Sequence, residues 1–362
     1  MSSHPEGLSG AAEHVMRLLG IERPIVQAPM AGTSTPEMAA AVSNAGGLGS
    51  IGVGAMTVKA AQEAIGAFRS RSGRSLNINV FCHRPARPDR ARESAWLETL
   101  RPRFEAVKSA PPGALGEIYK SFIADGDMFA AVLAAKPEVV SFHFGLPPAQ
   151  WIRALREAGI VLLGTATSLA EARENVAAGV QIVVAQGYEA GGHRGMFDPD
   201  ARDDQLGTLA LTGLLTRKLD APVIAAGGIM DGRAIAAVLH LGAAAAQLGT
   251  AFVGTAESAA DAGYRAALFS DAAHHTVMTR VISGRPARCL ANRFTALGER
   301  VRPEQIPSYP IAYDAGKSLN AEAKAAGETG YGAQWAGQGA PLARSLPAGE
   351  LVRKLVAELD GS

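Results

Sequence analysis

Eight short apolar runs, at residues 25–28, 48–51, 76–81, 139–142, 161–165, 182–185, 223–226 and 245–248, recur along the first two-thirds of this 362-residue chain, with alanine-rich stretches between them. The runs are continuously apolar rather than alternating, as expected of parallel strands covered on both faces. Parallel neighbours need a crossover connection, which helical stretches supply. Thr35-Pro36-Glu37 opens one of them with a capping threonine and a proline at the first helical position, and Gly46-Gly47 stops it; 168–178 and 232–241 repeat the scheme. Eight such units predict an α/β fold, a (β/α)8 TIM barrel. The rival, an open doubly wound sheet, places a GxGxxG loop after its first strand, and Pro29-Met30-Ala31-Gly32-Thr33 does not match it.

The pattern breaks twice. A charged, proline-rich stretch at about 82–136 reads as an elaborated crossover with helical segments around Trp96 and Tyr119. Beyond about Gly254 the strand rhythm stops, so the chain divides into a barrel over 1–254, a smaller, mainly helical substrate or lid domain over 255–345, and a helix within 346–362 that returns to the barrel. The glycine-rich 327–339 stretch reads as an irregular loop.

Lys plus Arg number 35 and Asp plus Glu 34, so no basic excess exists to neutralise a phosphate backbone, and nucleic-acid binding is not expected. Residues 1–20 carry His4, Glu6, Glu13, His14 and Arg17 with no apolar h-region, which argues against a signal peptide. No run of 18 apolar residues predicts a membrane span. Cys82 and Cys289 lie far apart, in no CxxC pairing, which fits a reducing cytoplasm and no structural zinc. A monomer or homodimer is expected.

The candidate chemistry sits where the runs end. After the sixth, Gln186-Gly187-Tyr188-Glu189-Ala190-Gly191-Gly192-His193-Arg194-Gly195 packs glycines around one imidazole, either as a tight turn or as a ligand loop in which Gly191 and Gly192 let amides approach a bound group. After the last two come Gly227-Gly228 and Gln247-Leu248-Gly249-Thr250, small residues at the place where such barrels hold a phosphate. Asn79 and Gln186 could bond a flat heterocycle, and Ala28, Pro29 and Met30 would offer apolar surface and a backbone amide beside it. Together these describe a flavin mononucleotide (FMN) site.

His143 follows the fourth run. Phe142 and Phe144 would desolvate it and favour the neutral form a general base needs, although a packed core histidine fits the same pattern. His193 competes for the catalytic role. His274-His275 has no third ligand at metal spacing, and no metal is expected. Tyr309, Tyr313 and Lys317 stand at i, i+4 and i+8, so on a helix they would share a face toward a small anionic substrate, or form an ordinary amphipathic surface. Tyr119 and Tyr264 are further candidates for the same cavity.

The runs from Gln27 to Pro36, Ala41 to Gly49, Ser141 to Pro147, Glu189 to Gly195 and Gly227 to Arg233 resemble the class I nitronate monooxygenases, formerly 2-nitropropane dioxygenases, over nearly the whole chain. The resemblance implies an FMN-binding barrel with a smaller substrate domain, oxidising alkyl nitronates with O2 to carbonyl compounds and nitrite by one-electron transfer to FMN. It implies propionate 3-nitronate as substrate, His143 as the active-site base with His193 nearby, and FMN contacts from Asn79, Gln186, Gly191, Gly228 and 247–250. FMN-dependent NAD(P)H reductases, acting on enoyl-acyl-carrier protein or quinones, are the alternative. The former carry a glycine-rich segment at the fourth strand, where this chain has Ser141-Phe142-His143-Phe144-Gly145. An IMP-dehydrogenase-like reading lacks its loop cysteine, and a non-catalytic flavin sensor would not need His143.

Overall fold

The computed structural model describes residues 9–362; the first eight residues of the 1–20 stretch lie outside the described residues. Barrel strands β1 (Ile25–Gln27), β2 (Gly49–Gly52), β3 (Leu76–Phe81), β4 (Val139–His143), β5 (Val161–Ala166) and β6 (Ile182–Gln186) are followed by a two-residue strand, β7 (Gly192–His193), outside the barrel. Then come β8 (Val223–Ala226), β9 (Ala245–Leu248), β10 (Thr276–Thr279) and β11 (Ala287–Leu290). Eight strands pair in parallel in the order β1-β9-β8-β6-β5-β4-β3-β2, and a Val26–Leu48 bridge links β1 to the edge of β2. This is the TIM barrel that the eight runs predict.

Local chemistry sets the helix limits. Thr35 caps the helix Pro36–Asn44 by accepting from the Met38 amide at 3.0 Å. Ser168 caps Leu169–Ala178, which ends at Gly179 with φ +98°. Inside the barrel, Val139, Leu163, Ile182, Ile224 and Ala245 cluster with Val15, Met16 and Leu19 of the first helix, Gly10–Leu19, which packs against the apolar end of the barrel. The helix Ala348–Asp360 buries Leu351, Val352 and Leu355 against Met38, Val42, Ile235 and Val238, in the place of the eighth barrel helix.

Three segments differ from the sequence reading. Tyr119 is not helical: Pro111, Pro112, Gly113 and Gly116 precede it, and the chain regains order in the turn Phe122–Ala124 and the helix Gly126–Ala135. The region after 254 is not only helical. β10 and β11 form an antiparallel pair, and β7 adds to it through Ala287–His193 and Arg288–Gly192, so the glycine loop after β6 is partly a strand. Tyr309 precedes the helix Ile311–Ala325, which carries Tyr313 and Lys317.

Gly49 shows how tightly the layers meet. A Cβ there would lie 2.0 Å from the Ala39 carbonyl oxygen, a backbone atom that cannot rotate away. We expect Gly49→Ala to cost about 1–3 kcal/mol of stability by urea unfolding; parent-like stability would contradict this helix-on-strand approach.

Candidate active site

Strand alternation builds the site. Ile78, Val80, Val140, Phe142, Val183, Ala185 and Leu248 point out to the helices, so their neighbours point in. The inward positions are apolar at one end of the barrel and polar at the other, where Asn79, Ser141, His143, Thr165, Gln186 and Gln247 line a cavity of about 500 Å³. That volume falls within the range of small-molecule and cofactor sites. Asn79 Nδ2 donates to Ser141 O and Oγ at 3.1 and 3.0 Å, which fixes its carboxamide plane across β3 and β4.

On the rim, Ala28, Pro29, Met30, Gly191, Gly192, Gly228, Gly249 and Thr250 all face the cavity. Leu248 does not: its side chain packs outside the barrel with Ile25 and Met38, leaving only its backbone near the rim. The Met30 amide, expected to face a ligand, instead donates to Ser34 Oγ at 2.9 Å. A Cβ on Gly249 would come no closer than 3.5 Å to another residue's atoms, and Gly228 has φ +69°, so both turns bring bare backbone to the cavity. Thr250 Oγ1 accepts from the Gly337 amide at 3.0 Å and keeps its own proton to donate. Glu189 accepts from the Thr208 amide at 2.8 Å and hydroxyl at 2.9 Å, with that hydroxyl also 2.9 Å from Gly227 O, which braces the Gly227-Gly228 turn. This rim fits a phosphate: small, donor-bearing and free of carboxylates aimed inward.

Gln186 is more committed than a free ring contact would be. Its Nε2 donates to His193 O at 3.0 Å, and its Oε1 accepts from the Gly195 amide at 2.7 Å, so it ties down the loop while lining the cavity. The same His193 carbonyl lies 3.3 Å from His143 Nε2. A carbonyl only accepts, so Nε2 carries the proton, and Nδ1 accepts from Thr165 Oγ1 at 3.1 Å. His193 Nε2 meets Ser283 Oγ at 2.8 Å. Burial, with the Arg285 guanidinium nearby, pushes His143 down to about 4, and burial with His143, Arg285 and His83 around it holds His193 well below its usual value. Both rings are neutral at pH 7. Of the two flanking phenylalanines only Phe144 packs on His143, at 4.3 Å between ring centroids; its φ of +72° turns it inward, whereas Phe142 faces the helices.

The opposite wall comes from the segment after 254 and the crossover. Tyr119, Tyr264, Tyr309, Tyr313 and Lys317 line it together. Lys317 Nζ lies 4.9 Å from the Tyr119 ring centroid and 5.6 Å from that of Tyr313. Burial lowers Lys317 from its ordinary value, partly opposed by Asp314, and burial raises the Tyr119 phenol to about 12 and also raises the Tyr264, Tyr309 and Tyr313 phenols, so all four stay protonated. His274 and His275 are exposed, and no metal-holding group occurs among the described residues. Sequence reasoning missed Thr165, Trp335 and Arg285. The first two line the cavity, and Arg285 lies behind Phe144. Thr165 could have been found from its place at the end of a strand run; Trp335 and Arg285 are brought in by tertiary packing.

Residues 12–358 match the family described as nitronate monooxygenase. The chain is 60% identical over 348 residues to a nitronate monooxygenase of Paraburkholderia phytofirmans, covering 96% of this chain and 95% of that one. It is 52% identical to one from Pseudomonas aeruginosa, covering 95% and 98%. Among solved structures, a nitroalkane oxidase from Streptomyces ansochromogenes superposes with a TM-score of 0.85 at 40% identity, covering 96% and 98%, and FabK from Thermotoga maritima with 0.73 at 30%, covering 96% of each.

The depressed histidine has a consequence for stability. Above the unfolded value of 6.5 both states hold His143 neutral; as pH falls from 6.5 to about 4, only the unfolded chain takes up the proton, so stability is lost across that window. The loss is at most about 3 kcal/mol, less because part of the ring faces the cavity. We expect the stability difference, parent minus His143→Asn, to shrink from pH 7 to pH 4.5 in urea unfolding. A constant difference would mean that His143 is not held neutral by the fold.

Proposed function

The chain belongs to the nitronate monooxygenase family, and from that premise we propose that it is an FMN-dependent enzyme oxidising small alkyl nitronates, propionate 3-nitronate foremost, with O2 to a carbonyl compound and nitrite. The observation that carries this reading is the charge of the cavity wall. Its one lining acid among the described residues, Asp261, is paired with Lys324 at 2.5 Å, the histidines are neutral and the phenols protonated, so Lys317 leaves the wall cationic. Such a wall attracts an anion the size of a nitronate.

FMN would sit with its phosphate at Gly228, Gly249 and Thr250 and its ring beside Asn79, Gln186 and Met30. When bound, it supplies the redox centre, accepting an electron from the nitronate. The protein supplies position. His143 presents a neutral ring whose tautomer is set by Thr165 and the His193 carbonyl. A nitronate has already lost its carbon-bound proton, so toward it His143 orients and polarises. Toward a neutral nitroalkane it must act as a base, and Nδ1 must first give up the Thr165 hydroxyl. Tyr264, Tyr309 and Tyr313 contribute apolar faces that close the substrate side against bulk water; the Tyr264 hydroxyl is given to the Trp335 carbonyl, which leaves the Tyr309 hydroxyl to donate. We propose that residues 1–254 form the cofactor domain, 255–345 the substrate domain, and 346–362 the returning helix.

Oxygen uptake and nitrite release from propionate 3-nitronate, with no NADH added, are the expected behaviour of the yellow protein. Rapid NADH bleaching with no nitrite would instead support the FMN-dependent NAD(P)H reductase reading and make His193 the first residue to replace. His143→Asn should keep its FMN and lose activity on nitroethane at least tenfold more than on ethyl nitronate. Equal activity of variant and parent on nitroethane would remove His143 from the chemistry.

A further inference from the structure

Among the described residues, Arg285 is a buried cation without a counter-charge. It is 3% exposed, in the turn leading into β11, and donates to the Met196 carbonyl, while its Nε has no partner among the described residues. The acids in its neighbourhood are committed elsewhere. Asp200 pairs with Arg280 at 2.7 Å, and Glu171 accepts from the Thr167 amide and hydroxyl at 2.7 Å and from the Phe197 amide at 2.9 Å. Burial lowers Arg285 only to about 10, so it stays charged at neutral pH. Removing an unpaired guanidinium from water is costly.

Its position indicates the use. The guanidinium lies over the Phe144 ring, 4.2 Å from Cζ to centroid. That ring stands 4.3 Å from His143, 5.6 Å from His193 and 5.6 Å from Tyr309, all three on the cavity wall. Among the described residues the Tyr309 hydroxyl is buried without a partner and neither His83 ring nitrogen is in hydrogen-bond geometry; the His83 ring stacks edge-on at 4.9 Å from that of Tyr309. The wall behind Phe144 therefore holds a full positive charge and unused donors, with no acid paired to that charge. Around a buried charge the low local dielectric leaves its field little screened.

We propose that Arg285 is a specificity-determining positioning residue: from behind Phe144 its charge selects a planar anion in the cavity over the neutral form of the same molecule. It touches neither substrate nor cofactor, and its action complements Lys317, which faces the cavity directly. The proposal rests on the nitronate reading for the identity of the anion and on the charge distribution for everything else.

The test uses the FMN-loaded full chain as parent, Arg285→Gln, Arg285→Met and Arg285→Lys. Nitrate serves as a planar anion and nitroethane as a neutral ligand, each measured as a dissociation constant from flavin absorbance and as an inhibitor of propionate 3-nitronate turnover. The neutral variants should weaken nitrate and raise KM for the nitronate about tenfold, roughly 1.4 kcal/mol, with nitroethane binding unchanged and Arg285→Lys within about threefold of the parent. Glutamine retains a donor toward the Met196 carbonyl, and methionine is the second neutral variant should glutamine not fold. Equal weakening of nitrate and nitroethane, or nitrate binding unaltered in a folded neutral variant, would overturn the proposal. A parent that binds nitrate but does not oxidise the nitronate would sink the proposed function while the binding comparison still decides Arg285.

Discussion

Everything in this molecule depends on eight strands running the same way around a closed ring. Parallel pairing brings every strand's C-terminal end to one rim, so residues from 28 to 250, remote in sequence, meet around one cavity. Side-chain alternation then divides each strand between helix packing and the barrel interior. Along the interior rows the residues change from apolar at the end packed against Gly10–Leu19 to polar at the other, as in Val139, Ser141, His143 on β4 and Ile182, Val184, Gln186 on β6. The apolar end stabilises the barrel by burial, and the polar end is left with side chains that must bond one another or a ligand. Asn79 bonds Ser141, Gln186 bonds the His193 loop, and His143 bonds Thr165.

The barrel was legible because its strands are apolar on both faces. β3, β8 and β9 coincide with their apolar runs, while β4, β5 and β6 each extend one residue further, to His143, Ala166 and Gln186. The hydrogen-bond ladder continues past the point where hydrophobicity stops, as the pairings Phe81–His143 and Gln186–Ala226 show. That one-residue difference places two candidate site residues on rigid strands rather than in loops. The tyrosines and Lys317 were legible as a cluster, although Tyr309 reaches the cavity from the segment before the helix. Less legible were features set by tertiary contact: β10 (Thr-Val-Met-Thr) and β11 (Ala-Arg-Cys-Leu) are no shorter than β8 and β9 but carry polar residues and no continuous apolar run, and Arg285 looks in sequence like any surface arginine. Phe142 and Phe144 look equivalent until alternation and a left-handed backbone at Phe144 separate them.

Electrostatics give the cavity its character. Desolvation keeps the histidines neutral and the phenols protonated, so what charge the wall carries comes from Lys317 in the cavity and Arg285 behind it. The same desolvation that disfavours imidazolium would strengthen attraction to a bound anion, because both follow from low local dielectric. A cavity with this charge distribution suits an anionic ligand. Its wall carries two neutral imidazoles, that of His143 with a fixed tautomer, and among the described residues its one lining carboxylate, Asp261, is paired with Lys324.

In the proposed reading the β8 and β9 strand ends anchor a flavin phosphate, leaving the space between His143 and the tyrosines for substrate. A crystal structure of the FMN-loaded protein tests it most directly. We expect the phosphate within hydrogen-bond distance of the Gly228 and Gly249 turns and the Thr250 hydroxyl, with the flavin ring beside Asn79 and Gln186. A phosphate held instead by Lys317, with the ring under the tyrosines, would contradict it.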